Sequence, residues 1–313
     1  MSGFSFTALR FPVRLGTRGS PLALVQANMV ASAICMAHGW EAAAVEIVVV
    51  KTSGDRIQDR PLADIGGKAL WTRELDRALI AGEIDFAVHS MKDVETVRPD
   101  TLTIVAMLPR ADVRDRLIGA DSVTALPAGA VLGTSSPRRA AQMRRMRPDL
   151  SIMMFRGNVA TRLAKLEAGE ADATLLAAAG LDRLGQAGIG ATIELDVMLP
   201  APAQGAVGIE TRTADTVMRE ALSAISDADT FDCVMAERAL LLALGGTCHS
   251  PIAALAQVEG DMLYLRAEIL TEAGEEHVTG DARFPRNDAA SAGALGRSLL
   301  DRASPGLRAL FEG

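Results

Sequence analysis

Apolar and polar positions along the chain alternate between two rhythms. VRLGT (13–17) reads as a strand, RGS breaks it, and Pro21 after Ser20 opens an apolar helical stretch to about His38 that Gly39 stops. VEIVVVKT (45–52) is a continuous β-branched run, as expected of a strand buried on both faces of a parallel sheet. A helix from about Lys68 to Ala81 and a short strand, DFAVHS (85–90), follow.

The same grammar then recurs. VLGTSSPRRAAQM (131–143) echoes VRLGTRGSPLALVQ (13–26), each a strand, Gly-Thr, Ser-Pro and a helix. LEAGEADATLLA (166–177) echoes LIAGEIDFAVHS (79–90). Two echoes in the same order predict two α/β domains of related architecture. LPAPAQGAVGIETR (199–212) ends in an apolar strand that is expected to run back into the first domain, so that two chain crossings form a hinge. From about Asp227 the pattern changes. A helix from about Phe231 to Leu244, three strands (PIAALAQVEG, LYLRAEILT, EEHVTGDARF) and a helix from about Ala289 to Arg302 predict an α+β third part.

Composition narrows the partners. The 313 residues are 49% hydrophobic but only 4% aromatic, which disfavours a base-stacking nucleic-acid platform. A net charge of −7 disfavours a general polyanion binder. No stretch approaches the ~20 apolar residues of a membrane span, and no signal peptide opens the chain. Three cysteines without paired spacing fit a reducing cytoplasm, and no His-rich or CxxC spacing suggests a metal.

Position matters more than number for the arginines. Helix starts expose unpaired N–H groups and bind anions, and three such turns carry arginine, whose planar fork suits carboxylates. Arg18 and Ser20 precede the first helix. Thr134, Ser135 and Ser136 lead into Arg138 and Arg139, and FRGNVATR (155–162) holds Arg156, Asn158 and Arg162. Ordinary capping and solvated arginine is the competing account of each. VHSMKD (88–93) brings Ser90, Lys92 and Asp93 to a strand end, with Asp93 a candidate proton donor or holder of a cationic N–H group, while His89 is expected to point into packing. Cys35 and Cys233 sit in apolar helices and read as core. Cys248, on a loop after Gly245 and Gly246, is the candidate nucleophile or attachment point.

LGTRGSPLAL, KTSGDRIQDRPLADIGGKALWTRELDRALIAGEIDFAVHSMKD, LGTSSPRR, FRGNVATRLAKLEAGEADATLLAAAGLDRL, LPAPAQGAVGIE and GGTCHSPIA together closely resemble the porphobilinogen deaminase family, over residues 13 to about 256. The resemblance implies a transferase of tetrapyrrole (heme, porphyrin) biosynthesis. It joins four porphobilinogen molecules head to tail, with loss of ammonia, to give hydroxymethylbilane. The chain grows on a dipyrromethane primer held by a thioether, here on Cys248. Asp93 matches the catalytic aspartate, which would also stabilise the electrophilic azafulvene left by deamination. Arg18, Ser20, Lys92, Arg138, Arg139, Arg156 and Arg162 match the binders of acetate and propionate groups, with Thr134 and Ser136 in the cofactor-binding loop.

The fold so implied is α/β: two periplasmic-binding-protein-like doubly wound domains hinged around a cleft, plus a C-terminal α+β domain. The expected boundaries are 1–106 with 206–226, 107–205, and 227–313. A cytoplasmic monomer without nucleic-acid or membrane partners is expected. Glu95, Pro137, Ala203, Thr247, His249 and Ser250 depart from the commonest family pattern. The main alternative is a non-enzymatic two-lobed binder of a small carboxylate, which would need neither Cys248 nor Asp93. A cysteine acyltransferase, the other rival, wants a histidine base, and His249 is adjacent in sequence, where geometry rarely allows that role.

Overall fold

Turn chemistry starts and stops the elements where the local sequence says it should. In a computed structural model that describes residues 9–51, 72–246 and 250–311, strand β1 (Val13–Arg18) runs into Ser20. The Ser20 hydroxyl accepts the Ala23 N–H at 3.3 Å, and Pro21 opens helix α1 (Pro21–His38), which Gly39 closes at φ 65°. The expected helix start at Lys68 and the loop bearing Thr247, Cys248 and His249 lie outside the described residues.

The chain divides into two compact units. The first gathers described residues 9–51, 72–110 and 206–231. It contains β2 (Val45–Val50), helix α2 (Arg73–Ile80), β3 (Phe86–Ser90), β4 (Leu102–Met107), β10 (Val207–Arg212, tenth among the described strands), and helix α6 (Thr216–Ser223). The sheet order is β2-β1-β3-β10-β4, with β1, β2 and β3 parallel and β10 antiparallel to both its neighbours. Leu15, Phe86 and Ile209 are fully buried with Val30 and Ile34 of α1 on one face, and Leu75 and Leu79 of α2 are buried with Ile84 and Ala87. α1 is long and apolar enough, by length and composition, to cross a membrane, contrary to the expectation that no stretch is; here it is one layer on this sheet.

One expectation fails. β2 is an edge strand, not one buried on both faces: Val45 alone is buried and Val49 is 49% exposed. An apolar run reports affinity for a sheet, and the edge position is decided by the other strands.

The second unit holds residues 111–205 and the described residues from 232 onward. Its first sheet is built from β5 (Asp115–Ile118), β6 (Val131–Gly133), β7 (Ser151–Met153), β8 (Ala173–Ala177) and β9 (Ala191–Thr192). Helices α3 (Pro137–Met146), α4 (Val159–Glu167) and α5 (Ala178–Arg183) connect them. The order β7-β6-β8-β5-β9, with β6, β7 and β8 parallel and β5 antiparallel, repeats the first sheet strand for strand. β6–α3 takes the place of β1–α1, and β8 that of β3, as the sequence echoes predict. The fourth place in each sheet goes to a strand beside a chain crossing: β5 after the chain enters the unit, β10 after it leaves. The return of LPAPAQGAVGIETR to the first sheet is therefore as expected.

Near that return, Ala203 adopts φ 61°, a left-handed conformation costing a non-glycine residue about 1–2 kcal/mol. The buried Glu237 carboxylate accepts its N–H at 2.6 Å and that of Ala256 at 2.8 Å. Helix α7 (Ala228–Ala243) leads to an antiparallel meander, β11 (Ile252–Glu259), β12 (Met262–Leu270) and β13 (His277–Pro285). It is covered by α8 (Ala289–Arg302), with Leu240, Leu265, Ile269, Leu299 and the short C-terminal α9 (Pro305–Arg308) at its core. Cys233 is buried as expected; Cys35 is only partly so, its thiol against the Glu41 carbonyl at 3.7 Å.

Candidate active site

In the first unit the C-terminal ends of β1 and β3 lie side by side in a parallel sheet, where open α/β sheets present ligand sites. β3 ends in Ser90 and turns at once through a single 3₁₀ turn, Met91–Asp93. The Met91 N–H is held by the Ala206 carbonyl at 3.1 Å and the Val94 N–H by that of Met91 at 3.2 Å. Arg18, Ser20, Gln26, Thr72, His89, Ser90, Asp93 and Val94 are among the residues lining one pocket there. Of the residues expected from sequence, Arg18, Ser20, Ser90 and Asp93 are thus brought together, and Lys92 lies on the same turn. Gln26, Thr72 and His89 were not foreseen. Gln26 Nε2 donates to Ser90 Oγ at 2.9 Å, and that hydroxyl donates back to Gln26 Oε1 at 3.1 Å, fixing the pocket's polar wall.

Charged groups stand behind that wall. His89 is buried as expected, with Nε2 3.2 Å from Glu210 Oε2. Both Glu210 oxygens also accept from Arg98, through Nε and Nη2 at 2.8 Å each. Burial alone would raise the Glu210 pKa, but the hydrogen bonds from His89 and Arg98 outweigh it and lower it to about 2. Asp76 moves the other way, since burial raises its pKa despite Arg98. Glu95, one of the departures from the family pattern, accepts from Thr72 Oγ1 at 2.8 Å and Arg98 Nη1 at 2.9 Å.

The second unit carries the arginine-rich turns. Ser136 and Asn158 are N-caps: Ser136 Oγ accepts from Arg139 N at 3.4 Å, and Asn158 Oδ1 from Thr161 N at 2.9 Å. Thr134 is buried, its hydroxyl accepting the Ser136 N–H at 3.2 Å, and Ser135 sits between them in the β6–α3 turn. Arg138 and Arg139, expected at an open helix start, are 3% and 5% exposed. Their Nη2 atoms grip opposite oxygens of Asp115 at 2.7 and 2.6 Å. Burial pushes the Asp115 pKa up, and the two guanidinium groups overcome this and hold it well below the usual carboxylate range. Gln204 adds a bond to Asp115 at 3.0 Å, and Gln142 links Arg138 (3.0 Å) to Glu268 of β12 (2.9 Å). Arg162 Nε donates to the Gly157 carbonyl at 3.0 Å, and Arg156 keeps a buried Nη1 with no partner among the described residues. Among the described residues no cluster of three His, Cys, Asp or Glu forms a metal site.

Asp115, Arg98, Glu210 and Asp76 carry no local motif, because each acquires its meaning from a partner distant in sequence.

Comparison with known proteins supplies the family. Residues 13–220 match the family described as porphobilinogen deaminase, dipyromethane cofactor binding domain, and residues 231–303 match the porphobilinogen deaminase C-terminal domain. The porphobilinogen deaminase of Sphingopyxis alaskensis is 58% identical over 306 residues, covering 96% of each chain. That of Paracoccus denitrificans is 51% identical over 296 residues, covering 93% of this chain and 95% of its own. Among solved structures, the second substrate binding domain of a putative amino acid ABC transporter from Streptococcus pneumoniae has a TM-score of 0.44 at 15% identity, over 74% of this chain and 94% of its own. Two family matches that together span most of the chain, and relatives more than half identical along nearly its whole length, establish that this chain belongs to the porphobilinogen deaminase family.

Proposed function

We propose that Asp93 is the acid–base group of this deaminase, the enzyme that condenses four porphobilinogen molecules head to tail with release of ammonia. The observation that carries the reading is the meeting of Asp93 with Arg18, Ser20 and Ser90 in one pocket at the strand ends. A porphobilinogen ring brings two carboxylates, a pyrrole N–H and an aminomethyl group. Arg18 would fork onto a carboxylate, and Ser20 and Ser90 supply hydroxyl contacts. The Asp93 carboxylate would then face the pyrrole N–H. As ammonia leaves, positive charge spreads over the ring and its methylene, and an adjacent carboxylate stabilises that charge. Once the new carbon–carbon bond has formed, the same carboxylate can take up the proton displaced from the ring carbon.

The family's cofactor is a dipyrromethane, whose carboxylates need several cationic forks. The unpartnered buried Nη1 of Arg156 fits that demand, and Arg162, Thr134, Ser135, Ser136 and Asn158 stand at the same two turns, while Arg138 and Arg139, paired with Asp115, hold the α3 start in place rather than offering open forks. Lys92 adds a cation beside Asp93. When bound, the dipyrromethane supplies the pyrrole carbon from which the product chain grows, and Cys248 is its proposed point of attachment. The division into domains of 1–106 with 206–226, 107–205, and 227–313, a cytoplasmic location, and a monomer acting without nucleic acid or membrane belong to the same reading.

Intact mass tests it. The wild-type protein should exceed its polypeptide mass by one dipyrrole and gain mass in pyrrole steps with porphobilinogen, while Cys248→Ser should carry neither. Asp93→Ala should stay folded and lose turnover. A dipyrrole retained on Cys248→Ser would refute the attachment site, and normal turnover by Asp93→Ala would remove it from the mechanism.

A further inference from the structure

We propose that Arg98 is a positioning residue for Asp93, its guanidinium pinning the strap that follows the catalytic turn to two other elements of the first unit, β10 and α2 with its N-cap; this rests on the reading of Asp93 given above. An arginine has five N–H donors in a rigid plane, and here all five are used. Nε and one Nη2 proton take the two oxygens of Glu210 on β10, at 2.8 Å each. The other Nη2 proton takes Asp76 on α2. Nη1 takes Glu95 at 2.9 Å and Thr72, just before α2, at 3.1 Å.

The location of these partners gives the network its consequence. Asp93 and Glu95 are two residues apart, on a strap in which Val94 is buried and Val97 is 71% exposed. Thr72 and His89 both line the pocket, and both belong to the network, Thr72 by its hydroxyl and His89 through Glu210. One planar cation therefore sets the strap carrying Asp93 and two further parts of the wall around it.

Charge makes the arrangement intolerant. Three carboxylates (Asp76, Glu95, Glu210) converge on a guanidinium whose side chain is 9% exposed. Without it they repel one another at short range in a poorly hydrated site, and Glu95, at 22% exposure the most accessible of them, is the one that repulsion displaces toward solvent, against its bond from Thr72. That motion pulls on Val94 and the Asp93 turn. Lysine keeps the charge but cannot make five directed bonds, so Arg98→Lys removes the geometry while leaving the cation.

The test uses purified holoenzyme of Arg98→Lys, Glu95→Gln and Asp93→Ala, each checked for its dipyrrole by intact mass and assayed well below its melting temperature. A carboxylate misplaced by a fraction of an ångström should lower kcat by about tenfold or more in Arg98→Lys, and by about threefold in Glu95→Gln. KM for porphobilinogen should stay within about twofold, because Arg18, Ser20 and Ser90 are untouched. A lowered melting temperature with unchanged kcat per loaded enzyme would overturn the inference, since it would make Arg98 merely structural. Should Arg98→Lys fail to fold or load, Glu95→Gln decides alone, and a kcat within experimental error of wild type refutes it. Turnover by Asp93→Ala would take down the underlying reading instead. An inactive Asp93→Ala beside fully active Arg98→Lys and Glu95→Gln would sink only the positioning role.

Discussion

Replacing Asp115 by Asn should destabilise the second unit severely although the side chain keeps its shape. The Asp115 carboxylate is 1% exposed and accepts from Arg138 at 2.7 Å and Arg139 at 2.6 Å, with Gln204 at 3.0 Å. A hydrogen bond to a charged group contributes about 1.5–3 kcal/mol net and a neutral one about 1 kcal/mol. An Asn oxygen can still accept from one guanidinium, but its NH₂ must face the other, donor against donor. Neither arginine can recover water where it stands, at 3% and 5% exposure. Two buried cations then lack a counter-charge, and the expected cost is about 3–5 kcal/mol. At an m-value of about 3 kcal/mol per molar this moves a urea midpoint down by at least about 1 M. Far-UV circular dichroism would follow unfolding, and amide exchange in peptides from α3 and β5 would assign the loss to this unit. The matched control is Asp196→Asn, whose carboxylate pairs with Arg266 at 2.9 Å but is 93% exposed, and which should cost about 0–1 kcal/mol. If Asp115→Asn cost no more than this control, the argument from burial would be wrong.

Two further outcomes are expected. Gly208 on β10 lies against Met91, where an added Cβ would meet Sδ at 2.0 Å and Cγ at 2.7 Å, so Gly208→Ala should cost about 1–3 kcal/mol and lower kcat by shifting the Asp93 turn. Met91→Ala in the same chain should restore much of both, and failure to do so in thermal melts and turnover would rule out this clash as the cause. Glu210 titrates near 2 in the folded protein, below its ordinary value, because His89 and Arg98 override the burial that would raise it. A depressed carboxyl stabilises above its unfolded pKa, so roughly 3 kcal/mol is present above about pH 5 and is lost as pH falls toward 2, with the raised Asp76 opposing part of that slope. Denaturation measured at pH 7, 5 and 3 should therefore show a shallower pH dependence in Glu210→Gln; an unchanged slope would contradict the assignment.

The duplicated architecture was legible because its signals are local. Ser-Pro before α1 and α3, Gly39 after α1, and the Gly-Glu turns before β3 and β8 act within a few residues of where they stand. Asp93 and the arginine-bearing turns were legible for a different reason, since they lie inside contiguous motifs whose resemblance to a family is specific. The edge position of β2 was not legible, because an apolar run does not say which strands will flank it.

The alphabet and order of residues by themselves determined the strands, the helices, the repeat and the family. Tertiary structure alone decided which charges are spent on the protein itself. Arg138 and Arg139 read equally well as solvated helix-start cations until Asp115, more than twenty residues earlier, is found between them. Arg98 and His89 show nothing of their roles until β10 returns Glu210 from 112 and 121 positions away. A charge's meaning depends on its distance to opposite charges and on the water left around it, and both exist only once the chain has closed on itself.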